Sequence, residues 1–290
     1  MRNLTEENLT DIVLSRIGGK SPRAQEVITK LVKHLHAFVR DVEPTEAEWA
    51  TAIDFLTRTG QKCDEKRQEF ILLSDVLGVS MLVDAINHRS TGAVTETTVK
   101  GPFHAPAKTM EMGSNIAQGE EAKRGEPTVV RGSILDEAGN PIANAVINVW
   151  QSDDIGYYDV QDDTQPDMNL RGIFRTGADG SFWFRTIKPA PYPVPTDGPV
   201  GELLDACGRH AMRPAHIHFW VQAEGYKDLI THIFVEGDKF LDSDAVFGVK
   251  ESLILEFKQN TDAEAAKKYQ TQAPFYDVHY DFKIAKVNKA

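Results

Sequence analysis

The chain has 290 residues, with 32 basic and 43 acidic side chains and a formal net charge of −11. Hydrophobic residues make up 41% and charged residues 26%, the balance of a folded globular chain and not of a disordered one. A chain this acidic has no global attraction for nucleic acid or anionic membrane, and no apolar run reaches the ~18 residues that a membrane span needs.

Residues 1–20 lack the basic-then-apolar form of a secretory leader. The two cysteines, Cys63 and Cys207, fit neither a disulfide framework nor a zinc ribbon. The expectation is a soluble cytoplasmic protein. The first hundred residues read as helical. Leu9, Ile12, Val13 and Ile17 recur at three- and four-residue steps. Ser21-Pro22 suits an N-cap followed by the first helical position. Behind it, Val27, Ile28, Leu31, Val32, Leu35, Phe38 and Val39 form one apolar stripe. Thr45 with Glu48 is a capping-box pattern for a helix carrying Trp49, Ile53 and Leu56. A fourth helix is expected over Lys62–Asn87, with Phe70, Leu73, Val76, Leu77 and Met81 toward the core and Gly78 weakening it.

Beyond residue 100 the period changes. Thr128–Asp136, Ala145–Trp150, Gly172–Thr176, Ser181–Arg185, His216–Gln222, Leu229–Val235 and Ser252–Phe257 are short and rich in Val, Ile, Phe and Trp. Turn chemistry such as Glu137-Ala138-Gly139-Asn140-Pro141 separates several of them. The expected fold is mainly β: an antiparallel β-sandwich over residues 98–290, preceded by an α-helical region over 1–97. Residues 186–214 hold Pro189, Pro191, Pro193, Pro195, Pro199 and Pro214 and few strand signals. Long ordered loops of this kind are often functional.

The densest chemical signal is Arg213-Pro214-Ala215-His216-Ile217-His218-Phe219. Residues two apart on a strand face the same way, so His216 and His218 can converge on one point. Alone, the pair also fits a half-exposed strand with two polar positions. A metal site needs further ligands. Candidates are Tyr157 and Tyr158 after the strand ending at Trp150, and Tyr192 in the proline-rich loop. A phenol with a pKa of about 10 is an unusual ligand, but a hard cation deprotonates a coordinated acidic group. Two phenolates with two imidazoles suit Fe³⁺ better than Cu⁺ or Zn²⁺.

Trp150…Gly156-Tyr157-Tyr158, Pro191-Tyr192 and Arg213–His218, with Gly101-Pro102-Phe103 and Gly237–Leu241, resemble the intradiol ring-cleaving dioxygenases in order and near-spacing over nearly the whole chain. The resemblance implies one Fe(III) per chain, held by Tyr158, Tyr192, His216 and His218. It implies O₂-dependent cleavage between adjacent ring hydroxyls, with Tyr192 leaving the metal as a general base. Arg213 then stabilises negative charge developing on the substrate. It places Leu72, Asp75, Val99, Gly101, Pro102, Phe103, Val194, Pro195, Arg213 and Val246 around the substrate ring. It also makes residues 1–97 the joint of a homodimer, with a lipid in a tunnel between subunits; a helical cap on a monomer is the alternative.

Asp75 bears on the substrate. Catechol-specific relatives tend to carry an apolar residue there, and a carboxylate beside a ring needs a partner. A third ring hydroxyl supplies one, which points to hydroxyquinol (1,2,4-trihydroxybenzene), opened to 3-hydroxy-cis,cis-muconate, the enol form of maleylacetate. The run Pro189–Gly201 is also most similar to members acting on hydroxyquinol. Catechol or a chlorocatechol is the second reading, and a non-catalytic β-sandwich binding module the third. His232, where catechol-cleaving relatives often have glutamine, is a candidate for supporting the metal ligands, with no firm role.

Overall fold

The computed structural model describes residues 3–65, 67–89 and 93–287. Residues 1 and 2, in the segment read for a leader, and residue 66, in the expected fourth helix, lie outside them. The chain condenses into two compact units, residues 1–58 and 59–290.

The first unit holds α1 (Leu9–Leu14), α2 (Pro22–Val42) and most of α3 (Glu46–Gln61). Ser21 Oγ accepts a hydrogen bond from Ala24 N at 3.1 Å, with Pro22 in the first turn. Glu48 Oε2 accepts from Thr45 N at 2.8 Å and Thr45 Oγ1 from Glu48 N at 3.2 Å, the reciprocal capping box. Arg40 ties α2 to α1 through Thr10 Oγ1 at 2.7 Å and Glu6 O at 2.9 Å. No α2 residue is buried, and Val27, Leu31, Leu35 and Phe38 remain 46–60% exposed.

The second unit holds α4 (Glu69–Val76), α5 (Val79–Asn87), α6 (Glu121–Arg124), α7 (Pro199–Ala206) and α8 (Ala263–Lys268). Its strands are β1 (Pro127–Asp136), β2 (Val146–Gln151), β3 (Arg171–Arg175), β4 (Ser181–Ile187), β5 (Tyr192–Pro193) and β6 (Met212–Arg213). They continue as β7 (His216–Gln222), β8 (Leu229–Val235), β9 (Ile254–Leu255), β10 (Lys258–Asn260), β11 (Phe275–His279) and β12 (Phe282–Ile284). One sheet runs β10-β11-β1-β12, with β4 on the other edge of β1; a second runs β3-β2-β7-β8-β9; β5 and β6 pair alone. Val130, Ile134, Phe182, Phe184, Val278 and Phe282 of the first sheet share one buried cluster with Ile147, Val149, Phe174, Phe219, Val221 and Ile233 of the second. Alternation along each strand sends these side chains inward.

Four expectations change. The fold is not mainly β, since helix (30%) exceeds strand (23%). Nor are the sheets purely antiparallel: β1 pairs parallel with β11 and β12, and β8 with β9. The parallel partners are short segments whose pairing is set by distant parts of the chain, and local periodicity does not register it. The fourth helix is two helices, because Gly78 adopts a left-handed conformation (φ 72°) between α4 and α5. The strand expected over Ser252–Phe257 contracts to β9 after a 3₁₀ turn at Glu251–Leu253. No helix among the described residues is long and apolar enough to cross a membrane.

Candidate active site

One row of the second sheet builds half of the site. Arg171 pairs in register with Trp150, Trp150 with His218, and His218 with His232, across β3, β2, β7 and β8. In-register residues share a sheet face, so all four side chains project together; all are buried. Two positions along β7, His216 projects to the same side. Tyr192 and Arg213 are likewise set opposite one another by the β5–β6 pair.

Tyr158 comes from the turn after β2. Asp153 Oδ1 accepts from the backbone N–H groups of Ile155 at 3.0 Å and Tyr157 at 2.8 Å, which winds that turn. Gly156 has φ 98°, and a Cβ there would lie 2.9 Å from Pro191 O and 3.0 Å from Tyr192 Cβ. The missing side chain lets the Tyr158 turn pack directly on the segment bearing Tyr192. Tyr158 ends fully buried and Tyr157 about half exposed.

The four candidate ligand atoms form a closed ring. Tyr158 Oη is 3.3 Å from Tyr192 Oη, Tyr192 Oη 3.4 Å from His216 Nε2, His216 Nε2 3.1 Å from His218 Nε2, and His218 Nε2 3.0 Å from Tyr158 Oη. Nitrogen and oxygen donors about 2.0–2.1 Å from a shared ion sit at about these mutual distances. His216 Nδ1 lies 2.7 Å from Pro214 O, which fixes its proton there and turns the Nε2 lone pair into the ring. His218 Nδ1 is buried without a partner, so either tautomer of His218 leaves an unmet group. A cation at the centre relieves the facing nitrogens, and two oxygens with two imidazoles fit a hard or borderline metal ion. Cys63 and Cys207 take no part in the ring.

The electrostatics agree with that fit. Burial pushes His216 down to about 3, with the Arg213 charge adding to the effect, and His218 and His232 well below the usual histidine range. All three are therefore neutral at pH 7, the form that ligates a metal. Burial pushes the Tyr158 and Tyr192 phenols up, and the Tyr192 charge raises Tyr158 further. They ionise together only if a cation supplies the missing positive charge. Arg213 contributes part of it: Nη1 is 3.3 Å from Tyr192 Oη, while Nε meets Asp244 Oδ1 at 3.1 Å. Burial opposes both charges of that pair, yet Arg213 holds Asp244 below the usual carboxylate range.

The other expected positions gather beside this ring. Leu72, Val99, Val194 and Val246 belong to one buried apolar cluster with Val76, Val200 and Leu204. Phe103 stacks on Tyr158 at 4.7 Å between ring centres. Gly101 packs so closely on His218 that a Cβ would lie 3.4 Å from its Cε1. Leu72, Pro102, Phe103, Val194 and Pro195 line a cavity of about 950 Å³. Asp75 is 2% exposed, and burial raises its carboxyl although Ser80 donates to it and Arg213 attracts its charge.

Sequence reasoning gave His232 no firm role and missed Asp244 and Asp153. Among the described residues, His216, His218 and His232 form a cluster whose ligand atoms lie within 4.8 Å of one another. His232 Nε2 is buried and unpartnered. Its signal was the in-register position on the next strand, visible only once β7 and β8 are paired. Asp244 and Asp153 carry no motif at all.

Family models described as "Dioxygenase" and "Catechol dioxygenase N terminus" match residues 99–285 and 21–95. The chain is 51% identical over 285 residues to a hydroxyquinol 1,2-dioxygenase of Rhizobium sp., covering 97% of this chain and 96% of that one. It is 50% identical over 264 residues to a 6-chlorohydroxyquinol 1,2-dioxygenase of Cupriavidus pinatubonensis, covering 90% and 95%. A solved hydroxyquinol 1,2-dioxygenase from Pseudomonas putida DLL-E4 superposes with a TM-score of 0.89 at 48% identity, covering 97% and 99%.

Proposed function

The chain belongs to the intradiol ring-cleaving dioxygenases, enzymes that use non-haem iron, and on that premise we propose that it opens hydroxyquinol with O₂ to 3-hydroxy-cis,cis-muconate. The observation that carries the reading is the closed ring of Tyr158, Tyr192, His216 and His218 donor atoms, 3.0–3.4 Å apart in a buried site. These four side chains would hold one Fe(III). When bound, the ion supplies the positive charge that ionises the diphenol and the electronic link between ring and O₂.

The chain's own residues do the rest. Tyr192 Oη, at the edge of the site beside Arg213, would accept a substrate hydroxyl proton as general base. Arg213 Nη1, 3.3 Å from that oxygen, offsets the negative charge that develops on the ring. Asp244 holds the guanidinium in place. Leu72, Val99, Val194 and Val246 exclude water from one side of the ring, Phe103 from another, while Gly101, Pro102 and Pro195 leave room for it. Asp75 accepts a hydrogen bond from the third ring hydroxyl and so selects hydroxyquinol over catechol and chlorocatechols. The names of the relatives support the same substrate.

The second sheet and its facing partner form the catalytic sandwich within residues 98–290, and residues 1–97 join two copies of the chain. The exposed apolar side chains of α2 support a homodimer, and a lipid at its joint is part of the same proposal. The protein works in the cytoplasm.

The deciding experiment is oxygen uptake with hydroxyquinol and catechol side by side, together with iron analysis. About one iron per chain, a wine-red colour from tyrosinate-to-iron absorption and a clear preference for hydroxyquinol are expected. Tyr192→Phe is expected to change colour and activity together. A protein that stays colourless and inert after iron loading would sink the reading.

A further inference from the structure

Arg171 opens β3 with its side chain 1% exposed, yet no step above uses it. Its guanidinium spends every nitrogen on two partners. Nε lies 3.0 Å from both carboxylate oxygens of Asp159, Nη2 closes a second, short contact to Oδ1, and Nη1 donates to Phe103 O at 3.2 Å. Asp159 is the residue after Tyr158. Phe103 is the residue whose ring stacks on Tyr158, 4.7 Å between centres and 27° between planes. Arg171 therefore grips the Tyr158 phenol from both sides, by its backbone and by the ring lying on it. Its register partner Trp150 stacks on His218 at 4.7 Å and 11°. Only a planar fork of donors meets a carboxylate and a carbonyl at once; a lysine ammonium keeps the charge and loses the geometry.

A buried ion pair is weak support for stability, because desolvation offsets most of its attraction. What Arg171 and Asp159 provide instead is a fixed position. We propose that Arg171 is a positioning residue of the metal centre: it locks the Tyr158 ligand and the Phe103 wall of the substrate pocket into a single rigid frame. The inference rests on the reading of Tyr158 as an iron ligand.

The test uses iron-loaded full-length protein. Arg171→Lys and Asp159→Asn are compared with wild type and with Arg131→Lys. The last makes the same change in a more exposed pair, Arg131–Asp277 at 2.8 Å, on the first sheet. Three quantities are read: the rate of iron loss to a chelator, the position of the visible tyrosinate-to-iron band, and the melting temperature. Residues that orient metal ligands typically contribute about 10–100-fold in metal affinity. Arg171→Lys is accordingly expected to lose iron faster by about that factor and to shift the band. Arg131→Lys should move only the melting temperature. Should Arg171→Lys fail to fold, Asp159→Asn, which keeps the shape and removes the charge, carries the same expectation. Wild-type iron retention and band position in the folded Arg171 and Asp159 variants, with only the melting temperature lowered, would overturn the proposal and leave the ligand set standing. A wild-type protein that takes up no iron would overturn both.

Discussion

At Asp75 a carboxyl stands 2% exposed on α4, three residues from Leu72, with Ser80 donating to it. A hydrogen bond to a charged group contributes roughly 1.5–3 kcal/mol. Asp75→Ala should therefore lower kcat/KM for hydroxyquinol by about 10–100-fold while leaving catechol turnover close to wild type, a difference read by steady-state kinetics on both diphenols. An equal loss on both would remove Asp75 from substrate selection. Side chains whose role depends on local spacing were legible in the sequence. His216 and His218 share a face because strands alternate, and Gly156 beside two tyrosines marks a turn. The resemblance favours Tyr158 over Tyr157 as a ligand; Tyr157 lies half in solvent and Tyr158 has no exposed surface. Asp244 was not legible, because it reaches Arg213 across 31 residues without a motif.

Among the elements, the turn from β2 to Tyr158 is where backbone and chemistry meet. Gly156→Ala adds a Cβ in a left-handed conformation and within 3.0 Å of the Pro191–Tyr192 backbone and side chain. Left-handed geometry alone costs about 1–2 kcal/mol for a residue with a Cβ. The variant is expected to lose at least that much in chemical denaturation and to bind iron more weakly, since the turn and β5 must separate. A denaturation midpoint equal to wild type would contradict this account. Apart from the shortened β9, the strands of the second sheet follow the sequence pattern nearly residue for residue, His216–Gln222 and Leu229–Val235 among them. The long helix over Lys62–Asn87 does not, because apolar spacing continues smoothly through Gly78 while the backbone reverses there. Periodicity reports which face is buried and is silent about where the chain turns.

For the whole molecule, the exposed stripe of α2 is the feature on which the proposed dimer rests. Seven aliphatic and aromatic side chains, Val27, Ile28, Leu31, Leu35, Phe38, Val39 and Val42, stand 45–60% exposed, an area that isolated monomers seldom leave bare. Phe38→Asp is expected to convert the protein from twice the 32.3 kDa chain mass to one chain in light scattering, with iron content retained. A wild-type protein already at one chain mass would reject the dimer. The stripe was legible in the sequence; the parallel returns of β11 and β12 were not, because Thr128 meets Tyr276 and Ile134 meets Phe282 across most of the second unit. That return has a consequence for how the polypeptide matures. The sheet bearing the histidines is drawn from residues 146–255, whereas the edge of β1 stays bare until the last strands have emerged from the ribosome. During synthesis the sheet bearing the histidines has all its strands first, and the nascent chain carries an unpaired edge of β1 open to wrong partners until β11 and β12 pair with it.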